Sequence, residues 1–181
     1  MSAERRSMLR RVGLVVGVGA LAAPVLVSVV HPAPLNSERF ASIDAALKTL
    51  EQLKTQTARM NGTWDMAHVL HHTAQSIEFS ISGFPEPKPA WFRATVGAYA
   101  FALFNARGQM SHTLSEPIPG AADIAQGQPL APAIDHVVSA LQSFERHAGA
   151  LMPHFAYGSL GKADYTRAHL MHLANHWVEL A

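Results

Sequence analysis

Five stretches of the chain carry apolar residues at every third or fourth position, which is the spacing that places them on one face of a helix. Sustained alternation of apolar and polar residues, which would predict β-strands, does not occur in the sequence. The helical stretches cover about residues 37–60, 64–82, 90–107, 132–149 and 163–180. This pattern predicts an all-α fold, a four-helix bundle with one additional helix and a long loop.

The ends of these stretches carry residues with defined backbone preferences. Ser37 is the predicted N-cap of the first helix, and the pair Asn61-Gly62 is predicted to end it. The apolar stretch 90–107 predicts a helix buried against the bundle, with contact to a membrane surface as the alternative, although the stretch lacks the basic face that such helices usually carry. Residues 108–129 contain Gly, Pro, Ser and Gln without a periodic pattern, and a loop of this length is typical of a lid or a disordered segment.

The N-terminus has the pattern of an export signal. Four arginines precede the run Val12–Val30, which contains no charged residue. The pair Arg5-Arg6 resembles a twin-arginine signal, so the predicted partner of this segment is the twin-arginine export machinery. The run is close to the roughly 20 residues that span a bilayer, so cleavage and membrane anchoring by an uncleaved helix both stay open. Either alternative predicts a periplasmic domain, exported across the cytoplasmic membrane.

The chain is therefore predicted to consist of a signal or signal anchor over 1–30, a linker over 31–36 and a helical bundle over 37–181. Residues 23–181 keep ten of the fourteen Lys and Arg residues and twelve of the thirteen Asp and Glu residues, so the net charge falls from +1 to −2. This charge argues against a nucleic-acid partner. The chain has no cysteine, so a metal site in it must use histidine and carboxylate ligands.

The last helical stretch carries three histidines, His169, His172 and His176, within roughly 60° of one another on the helix wheel. Histidines four residues apart on a helix can both bind one metal ion. In the second stretch His72 faces the apolar stripe, whereas His68 and His71 point away from it and are predicted to be solvated. The alternative is that all these histidines are only hydrogen-bonded or solvated residues.

Two separated motifs resemble a known group of proteins. The first begins at Trp64 and places His72 eight residues later; the second runs Pro153-x-Phe-x-x-Gly158 and continues into His172-x-x-x-His176. Together they resemble the DinB/YfiT-like superfamily of proposed metalloenzymes, and within it a family described only as a domain of unknown function. The resemblance implies that His72, His172 and His176 bind one divalent metal ion. Zinc, nickel, iron and manganese are not distinguished.

Three departures from the family pattern concern the surroundings of this site. Asn175 stands where relatives often have histidine, and Glu179 stands where glutamine is common. His169 is an additional histidine, which could replace a ligand or orient one. Glu78, Glu179, Gln75 and Tyr165 are the polar groups near the two motifs that could act as base or orienter, with a solvated helix face as the alternative for the two glutamates.

Three histidine ligands leave a fourth position for water, which is typical of a catalytic zinc site. The chain is accordingly predicted to be a metal-dependent hydrolase or group transferase acting on an unknown small-molecule substrate. Two alternatives stay open: a non-catalytic metal- or ligand-binding bundle, and a bundle with structural histidines and no metal. The sequence also leaves homo-oligomer formation open.

Overall fold

Helices dominate the computed structural model, which describes residues 32–56 and 59–180. The α-helices are α1 (Ile43–Leu53), α2 (Met66–Ser82), α3 (Ala90–Phe92), α4 (Ala98–Arg107), α5 (Leu130–Arg146) and α6 (Lys162–His176). A π-helical turn, Arg93–Gly97, joins α3 to α4 into one continuous segment. Short 3₁₀ turns, Glu38–Phe40 and Trp177–Glu179, precede α1 and follow α6. Within the described part of the chain there is no β-strand, which confirms the predicted all-α class.

Four of these helices form the bundle. Helix α2 packs most extensively against α5 and also contacts α6, and α1 contacts both α5 and α6. Their apolar stripes meet in one core whose fully buried members include Leu50, Leu70, Ile77, Ile134, Leu141, Phe144, Leu170 and Leu173. The segment α3–α4 is the additional helix, and residues 108–129 form the long loop, as the sequence predicts.

The first helix differs from its prediction at both ends. Ser37 makes no capping hydrogen bond, and Ser42 caps α1 instead by accepting a hydrogen bond from the Ala45 N–H at 3.1 Å. Helix α1 ends at Leu53, so Asn61 does not cap it. The Asn61 N–H donates to the Glu179 carbonyl at 2.8 Å, which ties this connection to the C-terminal end of the chain. Tertiary contact therefore decides where this segment lies.

Asp65 is the N-cap of α2, and both of its carboxylate oxygens accept hydrogen bonds. Oδ1 accepts from the His68 N–H at 2.8 Å, and Oδ2 accepts from the Gly127 N–H at 2.7 Å. A capping side chain normally satisfies only a free N–H group of its own helix. Here the same carboxylate also holds the end of the long loop against the start of α2.

The outer segment α3–α4 packs on α6 through a second, smaller apolar cluster containing Phe101, Met110, Ala168 and Met171. The predicted burial of residues 90–107 is therefore correct for the face that packs on α6. The other face is open to solvent, with Trp91 66% and Tyr99 72% exposed. Gly97 lies so close to the Ala156 carbonyl that a Cβ atom would overlap it, which brings this segment against the turn before α6.

The predicted signal over 1–30 lies outside the described residues. Among residues 32–56 and 59–180, no helix has the combination of length and hydropathy needed to cross a bilayer.

Candidate metal centre

Three histidines from two helices converge at one point beside the bundle core. His72 comes from the middle of α2, and His172 and His176 come from successive turns of α6. Each offers one ring nitrogen to a set in which all three atoms lie within 4.8 Å of one another. The Nε2 atoms of His172 and His176 are 3.1 Å apart. Of the residues that the structure describes, these are the three whose potential ligand atoms cluster in this way.

All three imidazoles are held in the neutral form. Burial lowers the pKa of His72 to about 3 and that of His176 to about 2, and the neighbouring imidazoles act in the same direction. Loss of solvent around its ring, together with the adjacent histidines, takes the pKa of His172 well below the ordinary value of 6.5. A neutral imidazole keeps one nitrogen lone pair free, and this is the form that binds a metal ion.

Trp64 forms an apolar wall beside the histidine trio, which consists of His72, His172 and His176. Its ring centroid lies 4.9 Å from that of His72 and 6.1 Å from that of His176. It also stacks on His68 at 4.2 Å, and His68 is only 8% exposed. The predicted solvation of His68 is therefore wrong. Trp64, which precedes α2, packs over the face of the helix that periodicity alone predicts to be exposed.

His71 and Glu78 belong to a separate network on the outer side of α2 and α5. The Nδ1 atoms of His71 and His136 lie 2.8 Å apart, and His136 Nε2 lies 2.9 Å from the Glu78 carboxylate. Glu78 is exposed and contacts α5 rather than the trio. This contact leaves His71 half-buried, so the predicted solvation applies to only part of its ring.

The other polar groups that the sequence singled out are engaged elsewhere. The Tyr165 hydroxyl donates to the Met152 carbonyl at 2.6 Å, and the Gln75 amide donates to the Ala122 carbonyl at 3.0 Å. The Glu179 carboxylate packs over Gly62. None of these three residues lines the cavity beside the trio.

His169, the additional histidine of α6, is buried one turn before His172 and stays outside the trio. Its Nε2 lies 3.3 Å from Ser80 Oγ, and the Ser80 hydroxyl itself donates to the Ile77 carbonyl at 2.6 Å. Ser80 therefore accepts the proton that His169 carries on Nε2. Burial lowers the pKa of His169 to about 3, so this ring is also neutral.

A cavity of about 310 Å³ opens directly beside the trio. His72 and His172 form part of one wall, and His154 and Tyr157, from the turn before α6, form part of another. The loop between α4 and α5 covers the space with His112, Glu116, Pro117, Ile118 and Pro119. The lining is mainly apolar with a few polar groups, which is the character of small-molecule sites.

His154 lies within the second sequence motif but is not among the predicted site residues. Its Nδ1 accepts hydrogen bonds from the backbone N–H groups of Ala156 and Tyr157 at 3.1 and 3.2 Å, so Nε2 carries the proton of the neutral ring. The ring stacks on Tyr157 at a centroid distance of 4.2 Å. The turn thus holds His154 rigidly as a hydrogen-bond donor in the cavity wall.

His112 is the residue near the trio that sequence reasoning missed. Its ring centroid lies 4.9 Å from that of His172 and 5.1 Å from that of His176. Its Nδ1 lies 2.9 Å from the Thr113 carbonyl, and its Nε2 is buried with no hydrogen-bond partner among the described residues. The surrounding loop has no periodic pattern, so no signal in the sequence distinguishes His112 from a solvated histidine.

The donor set of the trio fits a divalent transition-metal ion. Neutral imidazole is a ligand for zinc, nickel, iron and copper, and two nitrogens bound at 2.0–2.1 Å in a tetrahedral site lie about 3.3 Å apart. The observed separation of 3.1 Å between His172 Nε2 and His176 Nε2 agrees with this distance. The burial of His72 and His176 removes the water that would otherwise satisfy these nitrogens.

A family model described as "Protein of unknown function (DUF1569)" matches residues 34–181. The matched range contains the whole bundle, the trio and His112. No curated protein and no solved structure matches the chain. The family description assigns no activity, so the arrangement of side chains is the basis for a functional interpretation.

Proposed function

The chain belongs to the DUF1569 family, and we propose that it binds one divalent metal ion through His72, His172 and His176 and uses the ion in hydrolysis or group transfer on a small molecule. The observation that carries this proposal is the convergence of three imidazole nitrogens within 4.8 Å of one another. A cavity large enough for a small substrate adjoins two of these histidines.

Two physical arguments support a metal ion rather than a purely structural role for the trio. Three neutral imidazoles that each turn one nitrogen toward the same point cannot satisfy one another fully, because one hydrogen bond pairs only two of these nitrogens and leaves the third without a partner. Buried unpaired polar atoms are costly, and an ion bound to the converging lone pairs would remove much of that cost.

The ion would supply Lewis acidity: a divalent metal held by three histidines lowers the pKa of water and polarises a substrate oxygen or sulfur. The chain's own residues would position the substrate. His154 Nε2–H would donate a hydrogen bond from the cavity wall, and Lys88, which also lines the cavity, would attract a substrate with a negative charge. Tyr157 and Met110 would contact its apolar part.

The same proposal includes two wider assignments. We propose membership of the DinB/YfiT-like superfamily, supported by the order of Trp64, His72 and the two C-terminal histidines in an all-α bundle. We also propose twin-arginine export to the periplasm, supported by Arg5-Arg6 and the uncharged run after it. Export is tested by replacing both arginines with lysine: the domain should stay in the cytoplasm, and wild-type amounts outside it would contradict the proposal.

Metal binding is tested by native mass spectrometry with elemental analysis of the purified chain. One ion per chain is expected in the wild type, and none in a variant carrying both His172→Ala and His176→Ala. His147→Ala is the matched control, because His147 lies at the end of α5 and contacts the Ala150 carbonyl instead of the cavity. Lack of a stoichiometric metal in the wild type, or its retention in the double variant, would reject the site.

A non-catalytic metal- or ligand-binding role is the second candidate. It is favoured by the positions of Glu78, Tyr165 and Gln75, which contact other groups and are therefore not available to the trio as base or orienter. A screen of the metal-loaded protein on ester, phosphoester and thiol-transfer substrates separates the two candidates. Turnover that disappears in His72→Ala with the fold retained supports the enzyme; metal binding without turnover on any of them supports the binding protein.

A further inference from the structure

We propose that His112, carried by the loop between α4 and α5, is a fourth ligand of the same metal ion and closes the centre on the side of the cavity. This inference rests on the proposed metal site and extends it. It changes the expected resting state, because a site with four histidine ligands has no free tetrahedral position.

The first argument is the spacing of the rings. Four imidazoles bound tetrahedrally at 2.0–2.1 Å place their ring centroids about 5 Å apart, since each centroid lies about 1.1 Å beyond its nitrogen. Within the trio the centroid distances are 5.0, 5.2 and 4.9 Å. His112 lies 4.9 and 5.1 Å from His172 and His176. The His112 ring is therefore as far from His172 and His176 as the His72 ring is.

The second argument is the tautomer of His112. The Thr113 carbonyl can only accept, so the ring must carry its proton on Nδ1 to make the 2.9 Å contact. The lone pair then lies on Nε2, which is buried and has no partner among the described residues. A backbone carbonyl on one ring nitrogen and an unsatisfied lone pair on the other is the usual arrangement of a metal-bound histidine.

The third argument is the way the loop is held. Met110 and Ile118, on either side of His112, are 4% and 5% exposed and anchor the segment in the apolar clusters. His112 is not in the set of nitrogens that lie within 4.8 Å of one another. Binding therefore requires a movement of the short segment between these two anchors, while the anchors themselves keep their positions.

A consequence for the reaction follows from the position of this loop. Glu116, which lies between His112 and the Ile118 anchor, also lines the cavity, so the residue that closes the centre and a residue that covers the substrate space would move together. A substrate atom would reach the ion by taking the place of His112 Nε2. One metal–nitrogen bond would break and one bond to the substrate would form in this exchange, and the proton would stay on His112 Nδ1, which donates it in a hydrogen bond to the Thr113 carbonyl.

The proposal is tested on the full chain loaded with Co²⁺, whose visible spectrum reports both coordination number and ligand type. We expect the intense spectrum of a tetrahedral site in the wild type, a shift of its bands in His112→Ala as a water oxygen replaces one nitrogen, and a loss of Zn²⁺ affinity of roughly 10-fold or more. Free imidazole added to His112→Ala should restore the wild-type spectrum. His147→Ala should match the wild type in every measurement.

Two further results separate the failure of this inference from the failure of the metal site. If the wild type binds Co²⁺ and His112→Ala has the same spectrum and affinity, His112 is not a ligand and the three-histidine site stands. If the wild type binds no ion, both proposals fail. Should His112→Ala not fold, X-ray absorption of the Zn²⁺-loaded wild type counts the imidazoles directly: four support His112, and three reject it.

Discussion

His172 and His176 place their Nε2 atoms 3.1 Å apart across one turn of α6. Two neutral imidazoles can approach this closely only if one donates a proton to the other or if both lone pairs bind a common ion. The first arrangement uses one proton to satisfy one pair, and it leaves His112 Nε2 buried without a partner among the described residues. The second would satisfy the lone pairs of both rings at once, and the effect of Zn²⁺ on the melting temperature and the pH dependence of metal affinity distinguish the two.

Metal binding should raise the melting temperature. An ion that binds only the folded state at 100 times its dissociation constant adds about 2.7 kcal/mol to the free energy of unfolding. We expect Zn²⁺ to shift the thermal transition of the wild type upward and a chelator to reverse the shift, both followed by differential scanning calorimetry. In His176→Ala the shift should be absent; the same shift in that variant would mean that zinc acts elsewhere on the chain.

The affinity for metal should depend little on pH in the mildly acidic range. Protons compete with a metal ion only near the pKa of the ligands, and burial takes the pKa of His72 to about 3 and that of His176 to about 2. Three ordinary histidines would instead lose affinity by roughly four orders of magnitude between pH 7 and pH 5. Competition titration with a chromophoric chelator at pH 7, 6 and 5 measures the difference, and a steep loss would show that the trio is solvated.

Buried neutral histidine should make the metal-free protein sensitive to acid. His169 has its pKa lowered by burial to about 3, whereas its unfolded value is 6.5. Between these values the unfolded chain binds the extra proton, so stability is full above pH 6.5 and falls as the pH decreases toward 3. In His169→Leu the slope of unfolding free energy against pH should decrease by about 1.4 kcal/mol per pH unit in this range. Urea titrations at several pH values provide the slopes, and equal slopes would contradict a buried neutral His169.

Asp65 should contribute to stability through both carboxylate oxygens. Loss of an N-cap side chain costs about 1 kcal/mol, and Asp65→Ala also removes the acceptor of the Gly127 N–H. We expect a decrease in unfolding free energy of roughly 1–3 kcal/mol in urea titrations. The unfolding free energy of Asp65→Asn, which keeps one capping oxygen, should lie between those of the wild type and Asp65→Ala. Ser42→Ala at the start of α1 is the control for loss of a cap without a loop contact, and an equal effect of both alanine variants would exclude a role of Asp65 in holding the loop.

Sequence reasoning is most successful where local periodicity reflects burial. The apolar stripes predict all five helical segments, and the stripe of α2 correctly separates the buried His72 from the half-buried His71. The same rule fails for His68, because the wheel describes one helix alone. Trp64 covers this ring from the connection before α2, and a residue outside the helix does not enter the periodic pattern.

Helix ends and loop residues are the other places where local rules are insufficient. Ser37 and Asn61 have suitable capping chemistry, but α1 begins after Ser42 and ends at Leu53. Asn61 bonds instead to Glu179, a partner more than a hundred residues away along the chain. Capping propensities describe nearest neighbours and contain no information about such a partner.

The sequence by itself determined the helices of this protein and the faces of α2 and α6 on which the histidines lie, because helix formation and the i, i+4 spacing of His172 and His176 depend on residues close together in the chain. Only the tertiary structure decided how the histidines combine. The packing of α2 against α6 brings His72 to the pair, and the course of an aperiodic loop brings His112 to the same rings. The tertiary structure also excluded His169 and Glu78, whose partners Ser80 and His136 lie on other helices. Such long-range contacts arise from the fit of whole surfaces and leave no periodic trace in the sequence.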